Sequence, residues 1–326
     1  MSRFLTTDSL ITSIKRKGQI PENQSTFSEQ DFIDILNEEM EIGVIPYVMS
    51  HHENYFLDQS TTALVANQNN YEIPYRAVGN KIKYLSYQDS NSNLFPMQQI
   101  DVVDVPEFQE GTQNYRYYYI KNNEVFIVPD VESSVSGSLQ FTYYLRPNKL
   151  VVQSRAARIT AIDTSTGVVT VDGYNTTTKD YDSSGTFPTI FTTSETYDFI
   201  DFKSPHKSSG RDLSVSAVDT AAGTLTFTAS DLPATLEVGD YVNISGEAVV
   251  AQIPSDLHVL LAYRAMRACV EALNDIEALQ SATAKLAEIE NKAQHIINNR
   301  VEQSHKKIVN RSSMLGNTGR YFKKTW

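Results

Sequence analysis

The stretch from Ile253 to Asn310 constrains this chain most, because apolar residues recur on two sides of one helix. It opens Ile253-Pro254-Ser255-Asp256, with proline early in the first turn, where a missing N–H breaks no helical bond. Leu257, Leu260, Leu261, Ala265, Ala268 and Ala272 follow at three- and four-residue spacing. Val259, Met266, Val270 and Leu273 form a second apolar line. A helix with two apolar sides is covered on both, and the alanines let another backbone come close. Asn274-Asp275 marks a break. A second helix then carries Leu279, Leu286 and Ala293 at one heptad position and Ala282, Ile289 and Ile296 at another. The pattern speaks of assembly. Leu257, Leu261, Ala265, Met266, Ala268, Leu279, Leu286 and Ile289 are the candidate subunit-packing residues.

The chain before this pair changes period several times. Residues 6–17 read as a short helix ended by Gly18 and Pro21. Ser28 caps a second helix, with Asp31 three residues on and Phe27 and Phe32 placed as a hydrophobic staple. Gly43 and Pro46 interrupt it, and a helical piece from about Tyr47 to Leu57 follows. From Gln59 the period is two, through Tyr71, Ile73 and Tyr75, then Ile82 and Tyr84, then Leu139, Phe141, Tyr143 and Leu145. Asn122-Asn123 reads as a tight hairpin turn. Residues 150–252 hold a repeat: residues 161–171 (AIDTSTGVVTV) match residues 217–227 (AVDTAAGTLTF) at an offset of 56. Each copy reads strand, Asp-Thr-x-x-Gly loop, strand. Between them, Lys203 to Arg211 is a polar, basic loop expected to project into solvent.

These patterns predict an α+β chain: a helical bundle formed by the N- and C-terminal segments, with antiparallel β domains inserted between them. The expected segments are a helical domain in two parts (1–58 and 253–310), an antiparallel β domain (59–149), a barrel or sandwich with the duplicated hairpin (150–252) and an extended docking tail (311–326).

Charge is unevenly distributed. The net charge is −11, but residues 300–326 hold seven Lys+Arg and one Glu, a balance of +6, which leaves −17 on the rest. A strongly acidic body argues against general nucleic-acid binding. The lone Cys269 argues against a disulfide framework; the stretch from Met1 to Leu5 opens no apolar run of signal-peptide length, and no stretch approaches the length of a membrane span, so neither feature is expected. His51-His52-Glu53 lacks the i, i+4 spacing of a zinc pair. Glu38, Glu39 and Glu41 read as a solvated acidic face, and Asp163 and Asp219 as hairpin residues. No phosphate loop, nucleophile elbow or Cys–His motif occurs, so no catalytic, cofactor or metal residue is assigned and the chain is not expected to be an enzyme. The tail is the candidate docking segment, through Lys306, Lys307, Arg311, Leu315, Arg320, Tyr321, Phe322, Lys323, Lys324 and Trp326. Aromatic residues beside arginine anchor interfaces.

Three stretches carry a family resemblance: residues 71–82 (YEIPYRAVGNKI), residues 139–147 (LQFTYYLRP), and residues 253–265 (IPSDLHVLLAYRA) running on to Glu271-Ala272-Leu273-Asn274-Asp275. In this order the chain resembles the head-to-tail adaptor (head-completion or connector) proteins of tailed bacteriophages, over most of its length except residues 150–252. The family usually has glycine where this chain has Asn274. The resemblance implies a structural virion protein in the neck, assembled in the host bacterial cytoplasm, as a ring of about twelve copies. The ring would sit under the portal protein, meet tail or nozzle proteins below, and let DNA pass without sequence-specific binding. No membrane contact is implied. An acidic lining from Glu38, Glu39 and Glu41 would keep DNA from sticking. The alternative is a glycan- or host-binding β-rich module of the virion or tail.

Overall fold

In the computed structural model, residues 6–21, 26–109, 115–132 and 136–297 are described. Helix α1 (Thr7–Lys17) is followed by α2 (Glu29–Glu38). The Ser28 hydroxyl accepts the Asp31 N–H at 3.2 Å, and the Ser28 N–H donates to the Asp31 carboxylate at 2.7 Å. Phe27 and Phe32 pack with ring centroids 5.5 Å apart. The interruption expected at Gly43–Pro46 is a π-helical turn, Glu39–Val44, leading into α3 (Ile45–His51). Pro46 has no N–H to close an α-helical bond, and the Ile45 N–H instead reaches Met40 O, five residues back.

Two small sheets follow. Their strands are β1 (Leu57–Ala63), β2 (Asn70–Glu72), β3 (Ala77–Gln88), β4 (Leu94–Pro96) and β5 (Gln98–Gln99), then, after the short helix α4 (Val105–Gln109), β6 (Tyr117–Lys121), β7 (Glu124–Val128) and β8 (Ser138–Leu145). One sheet runs β1-β8-β3-β4 and the other β2-β7-β6-β5. Alternating residues from both, including Tyr71, Leu85, Tyr118, Ile127 and Phe141, fill a shared core. Asn122 and Asn123 turn the β6–β7 hairpin at φ +50° and +65°, the left-handed values that asparagine tolerates.

Beyond β9 (Lys149–Leu150), the chain enters a closed barrel. Its strands are β10 (Ala157–Asp163) and β11 (Val168–Asp172), then, after a side hairpin of β12 (Tyr174–Asn175) and β13 (Asp180–Tyr181), β14 (Thr196–Ile200), β15 (Ser208–Asp219), β16 (Thr224–Phe227) and β17 (Tyr241–Ile244). The short β18 (Glu247–Ala248) returns to pair with β9. The order is β10-β11-β16-β15-β14-β17. The sequence repeat is a structural duplication. The two hairpins meet along β11–β16, where Val169 pairs with its own counterpart, Leu225. Phe227 N–H donates to Gly167 O at 2.9 Å, and the counterpart Val171 N–H donates to Gly223 O at 2.8 Å. Asp163 accepts the N–H groups of Ser165 and Thr166 as Asp219 accepts those of Ala221 and Ala222. Both hairpins bulge at matching places, between Ile159 and Ala161 and between Val215 and Ala217. The barrel is therefore an approximate two-fold object, with one axis through the Val169–Leu225 pair.

The chain returns to helix in α5 (His258–Ala272) and α6 (Ile276–Ile297). Asn274 turns between them at φ +57°, taking the left-handed place that glycine fills most cheaply. These helices share one core with α1, α2, the π turn and α3, through Leu10, Ile14, Phe32, Leu36, Leu261 and Leu286 among others.

The expected fold class is overturned. The molecule is mostly β, in several sheets and one six-stranded barrel, and it is not a helical bundle carrying β insertions. The reason is one of signal. Helical periodicity accumulates over long windows such as 257–296. Each strand between the helices shows its alternation over a shorter window, yet together the strands hold more of the described residues than the α-helices do.

Gly167 has φ +75°, and a Cβ there would lie 2.2 Å from Phe227 O, against 2.9 Å from Val171 O at Gly223. Gly167→Ala is expected to destabilise by about 2–4 kcal/mol and Gly223→Ala by about 1–2 kcal/mol. Thermal or urea unfolding of the two variants measures the asymmetry.

Candidate assembly surfaces

Arg76 leaves the sheet region just before β3 and enters the face of the barrel. Its guanidinium is buried. It holds Asp198 on β14 in a two-pronged pair, Nη1 to Oδ2 at 2.7 Å and Nη2 to Oδ1 at 2.9 Å. It also donates to Asp212 at 2.6 Å, Ser245 Oγ at 2.7 Å, Asn148 Oδ1 at 3.2 Å and, through Nε, Tyr75 OH at 2.8 Å. Asp198 is fully buried and accepts further from Asn148 Nδ2 at 2.6 Å, the Asp212 N–H at 2.9 Å and the Gly246 N–H at 3.0 Å. Burial opposes the Arg76 charge, but the bonds to and charge of Asp198, with Tyr75 and Asp212, hold its pKa above the ordinary value. Burial pushes Asp212 up, yet Ser245, Tyr75 and Arg76 outweigh it and leave the pKa lowered.

A second junction joins the barrel to the helices. The Lys203–Arg211 stretch, expected to project into solvent, does so only in part: Lys203, Ser204 and Lys207 are exposed, and residues 208–211 belong to β15. Its His206 is fully buried, with Nδ1 3.1 Å from Asp201 O and Nε2 3.3 Å from Ser255 Oγ. Ser204 Oγ accepts the Ser255 N–H at 3.2 Å, and Arg211 pairs with Asp58 on β1. The loop is polar because it is a hydrogen-bonded seam between β14, β15 and the start of α5. Loss of water lowers the His206 pKa, with the Asp201 carbonyl acting the other way.

In the helical layer, a Cβ on Gly43 would lie 2.6 Å from Arg264 Nη1, so the π turn makes room for that guanidinium. Arg264 pairs with Glu290 on α6 and lies 3.7 Å from Glu39, while Tyr47 OH donates to Glu290 O at 2.6 Å. The predicted subunit-packing residues point into the chain's own core. Leu257, Leu261, Ala265, Met266 and Leu286 are buried there, Leu279 and Ile289 pack against it half-buried, and Ala268 is half-buried. The large apolar residues left outside on this pair are Val259, Leu273, Ile276 and Ile296. A groove of about 640 Å³ opens between the C-terminal end of α1 and the α5–α6 turn. Lys17 lies in it, its ammonium 4.0 Å from the centre of the Tyr263 ring, and burial, then Arg16, lowers its pKa to about 8.

The remaining candidates have structural partners. His51 Nδ1 lies 2.9 Å from Tyr47 O, and Glu53 meets Lys83 at 3.0 Å and the Tyr144 hydroxyl. Glu39 faces Arg264 and Arg267, Glu41 lies 3.9 Å from Arg146, and Glu38 is exposed. Among the described residues, no cluster of His, Cys, Asp or Glu could hold a metal ion, and no helix is long and apolar enough to cross a membrane. The tail residues Lys306, Lys307, Arg311, Leu315, Arg320, Tyr321, Phe322, Lys323, Lys324 and Trp326 lie outside the described residues. Sequence reasoning missed the Arg76 cluster. Its signal was Asp198, a lone carboxylate inside the apolar run Tyr197-Asp198-Phe199-Ile200, which demands a buried partner. No protein-family model matches the chain, and no curated protein matches it.

Arg76→Ala strands a buried carboxylate and is expected to destabilise by about 3–5 kcal/mol, with the double variant R76A/D198A costing less than the sum of the singles. A double-mutant cycle by urea unfolding reads this. For His206, a folded pKa below the unfolded value of 6.5 means that the unfolded chain takes the proton first. Its contribution is complete above that value and is lost as the pH falls below it. Wild type should therefore lose stability between pH 6.5 and pH 5 more steeply than His206→Gln.

Proposed function

We propose that this chain is a structural protein of a tailed-phage neck, an adaptor that forms a ring, docks under the portal and passes DNA toward the tail. One observation carries the reading. The closing helical pair fills its inner faces within the chain, keeps Val259, Leu273, Ile276 and Ile296 outside, and leads straight into a segment of charge +6 rich in aromatics. Exposed apolar side chains beside a basic aromatic segment are what a docking element requires. Two further features support it. The buried Arg76 and His206 junctions tie sheets, barrel and helices into one body that can carry load between neighbours. The charge of −17 on the rest of the chain repels DNA, which suits a passage that must not bind its cargo.

The portal contact is assigned to Arg311, Leu315, Arg320, Tyr321, Phe322, Lys323, Lys324 and Trp326, with Lys306 and Lys307 leading into them. Full-length chain should co-sediment with portal-bearing particles, and deletion of residues 311–326 should abolish co-sedimentation while leaving the thermal transition unchanged. Retention of the deleted chain on the particles contradicts the assignment.

A further inference from the structure

A second groove, of about 280 Å³, lies where the helical layer meets the barrel seam. Val48 of α3, His52 just past it, Pro205 of the seam and Leu257 before α5 line it, and its last wall is the end of α6, Ile296 and Ile297. The lining is mainly apolar, with the exposed carboxylate of Asp256 beside it. Ile296 is 57% exposed, apolar surface that the described chain leaves bare here. The described residues end in this groove, at the buried Ile297. Along α6 the buried residues are Ala282, Leu286, Ala293 and Ile297, a single stripe at helical spacing. Residues 298–310 lie outside the described residues. In sequence they are polar and basic except for Val301, Ile308 and Val309. Counted at helical spacing from Ile297, Val301 and Ile308 fall on the stripe that α6 already buries.

We propose that residues 298–309 of the chain itself occupy this groove, with Val301 on Leu257 and Ile297 and Arg300 reaching Asp256. The segment departs from the groove's own wall, so its tether is the shortest of any candidate occupant, and a short tether gives a high effective concentration. Its apolar residues match an apolar lining, and its flanking cation matches the carboxylate beside it. Burying Val301 also covers Ile296, which a chain ending at Ile297 leaves in water. The contact goes beyond the adaptor reading and does not depend on it. Its consequence rests on that reading: the docking residues 311–326 leave from a fixed point, braced between helical layer and barrel, and not from a free helix end.

The test is disulfide trapping in the full chain. Cys269 is buried and its thiol is pushed up to about 12, so it stays out of the reaction. His52→Cys, in the groove wall, and Val301→Cys are made singly and together and oxidised with diamide at low protein concentration. The double variant should close an internal disulfide and run as a faster-migrating monomer without reductant, and neither single variant should do so. Val301→Asp should speed backbone hydrogen exchange by about tenfold in peptides covering residues 48–57 and 255–261, with β10 and β11 of the barrel unchanged. Cross-linked dimers in place of monomers give the groove to a second copy and overturn the assignment. Unchanged exchange in Val301→Asp, with no cross-link in the double variant, overturns it outright. An internal cross-link in a chain that does not co-sediment with portal-bearing particles keeps the contact and removes the adaptor reading. Co-sedimentation without the cross-link does the reverse.

Discussion

The barrel is oriented on the preceding sheets by one buried ion pair. Arg76 arrives from just before β3 and Asp198 from the barrel, with side chains 8% and 0% exposed. Two parallel N–H···O bonds fix direction as well as distance, and with the Tyr75–Asp212 and Arg211–Asp58 contacts they set the angle between sheets and barrel. Asn148 and Ser245 close the cluster from the linker and from the end of β17. The net stability of such a pair is modest, because desolvation offsets most of the Coulomb attraction. Its contribution is geometric: any other docking of barrel on sandwich leaves two buried charges unpaired.

The duplication explains why the pair is where it is. Ala157 pairs with Val242 just as its counterpart Leu213 pairs with Tyr197, which makes β14 and β17 equivalent strands. Asp198 and Asn243 then hold equivalent places and face each other in the β14–β17 ladder. Both are fully buried, yet they have diverged. Asp198 accepts the guanidinium, while the Asn243 amide has no hydrogen-bond partner among the described residues. A symmetric barrel has thus been given one distinct docking face by a change at its axis. The hairpin tips, with their paired Asp and Gly residues, kept their local chemistry because it serves the barrel itself.

Much of the local structure was legible in the residues, and the global balance was not. The Ser28–Asp31 capping box, the Asn122-Asn123 turn, the Asn274 break and the 56-residue repeat all rest on short-range chemistry, which sequence carries directly. The balance was not legible because the long helical patterns stand out as a frame, whereas strands such as β3, β8 and β15 gain their stability from partners remote in sequence. The two-sided helix at 257–273 was read as surplus surface. Its second face is covered by α1, α2 and α6 of the same chain, so the residues available to neighbours are different ones, at the turn and the outer face. The basic loop at 203–211 misled for a related reason: a polar seam between two bodies has the composition of a solvent loop.

In the proposed adaptor role the chain works by position, an acidic body beside the DNA anchored through its own cationic segment. Electron cryomicroscopy of particles that contain it tests this most directly. The account predicts a closed ring of copies at the portal vertex, with helices α5 and α6 toward the portal side and DNA density passing through the centre. Copies found instead at fibre tips or elsewhere on the tail, with the ring position occupied by another protein, would contradict it.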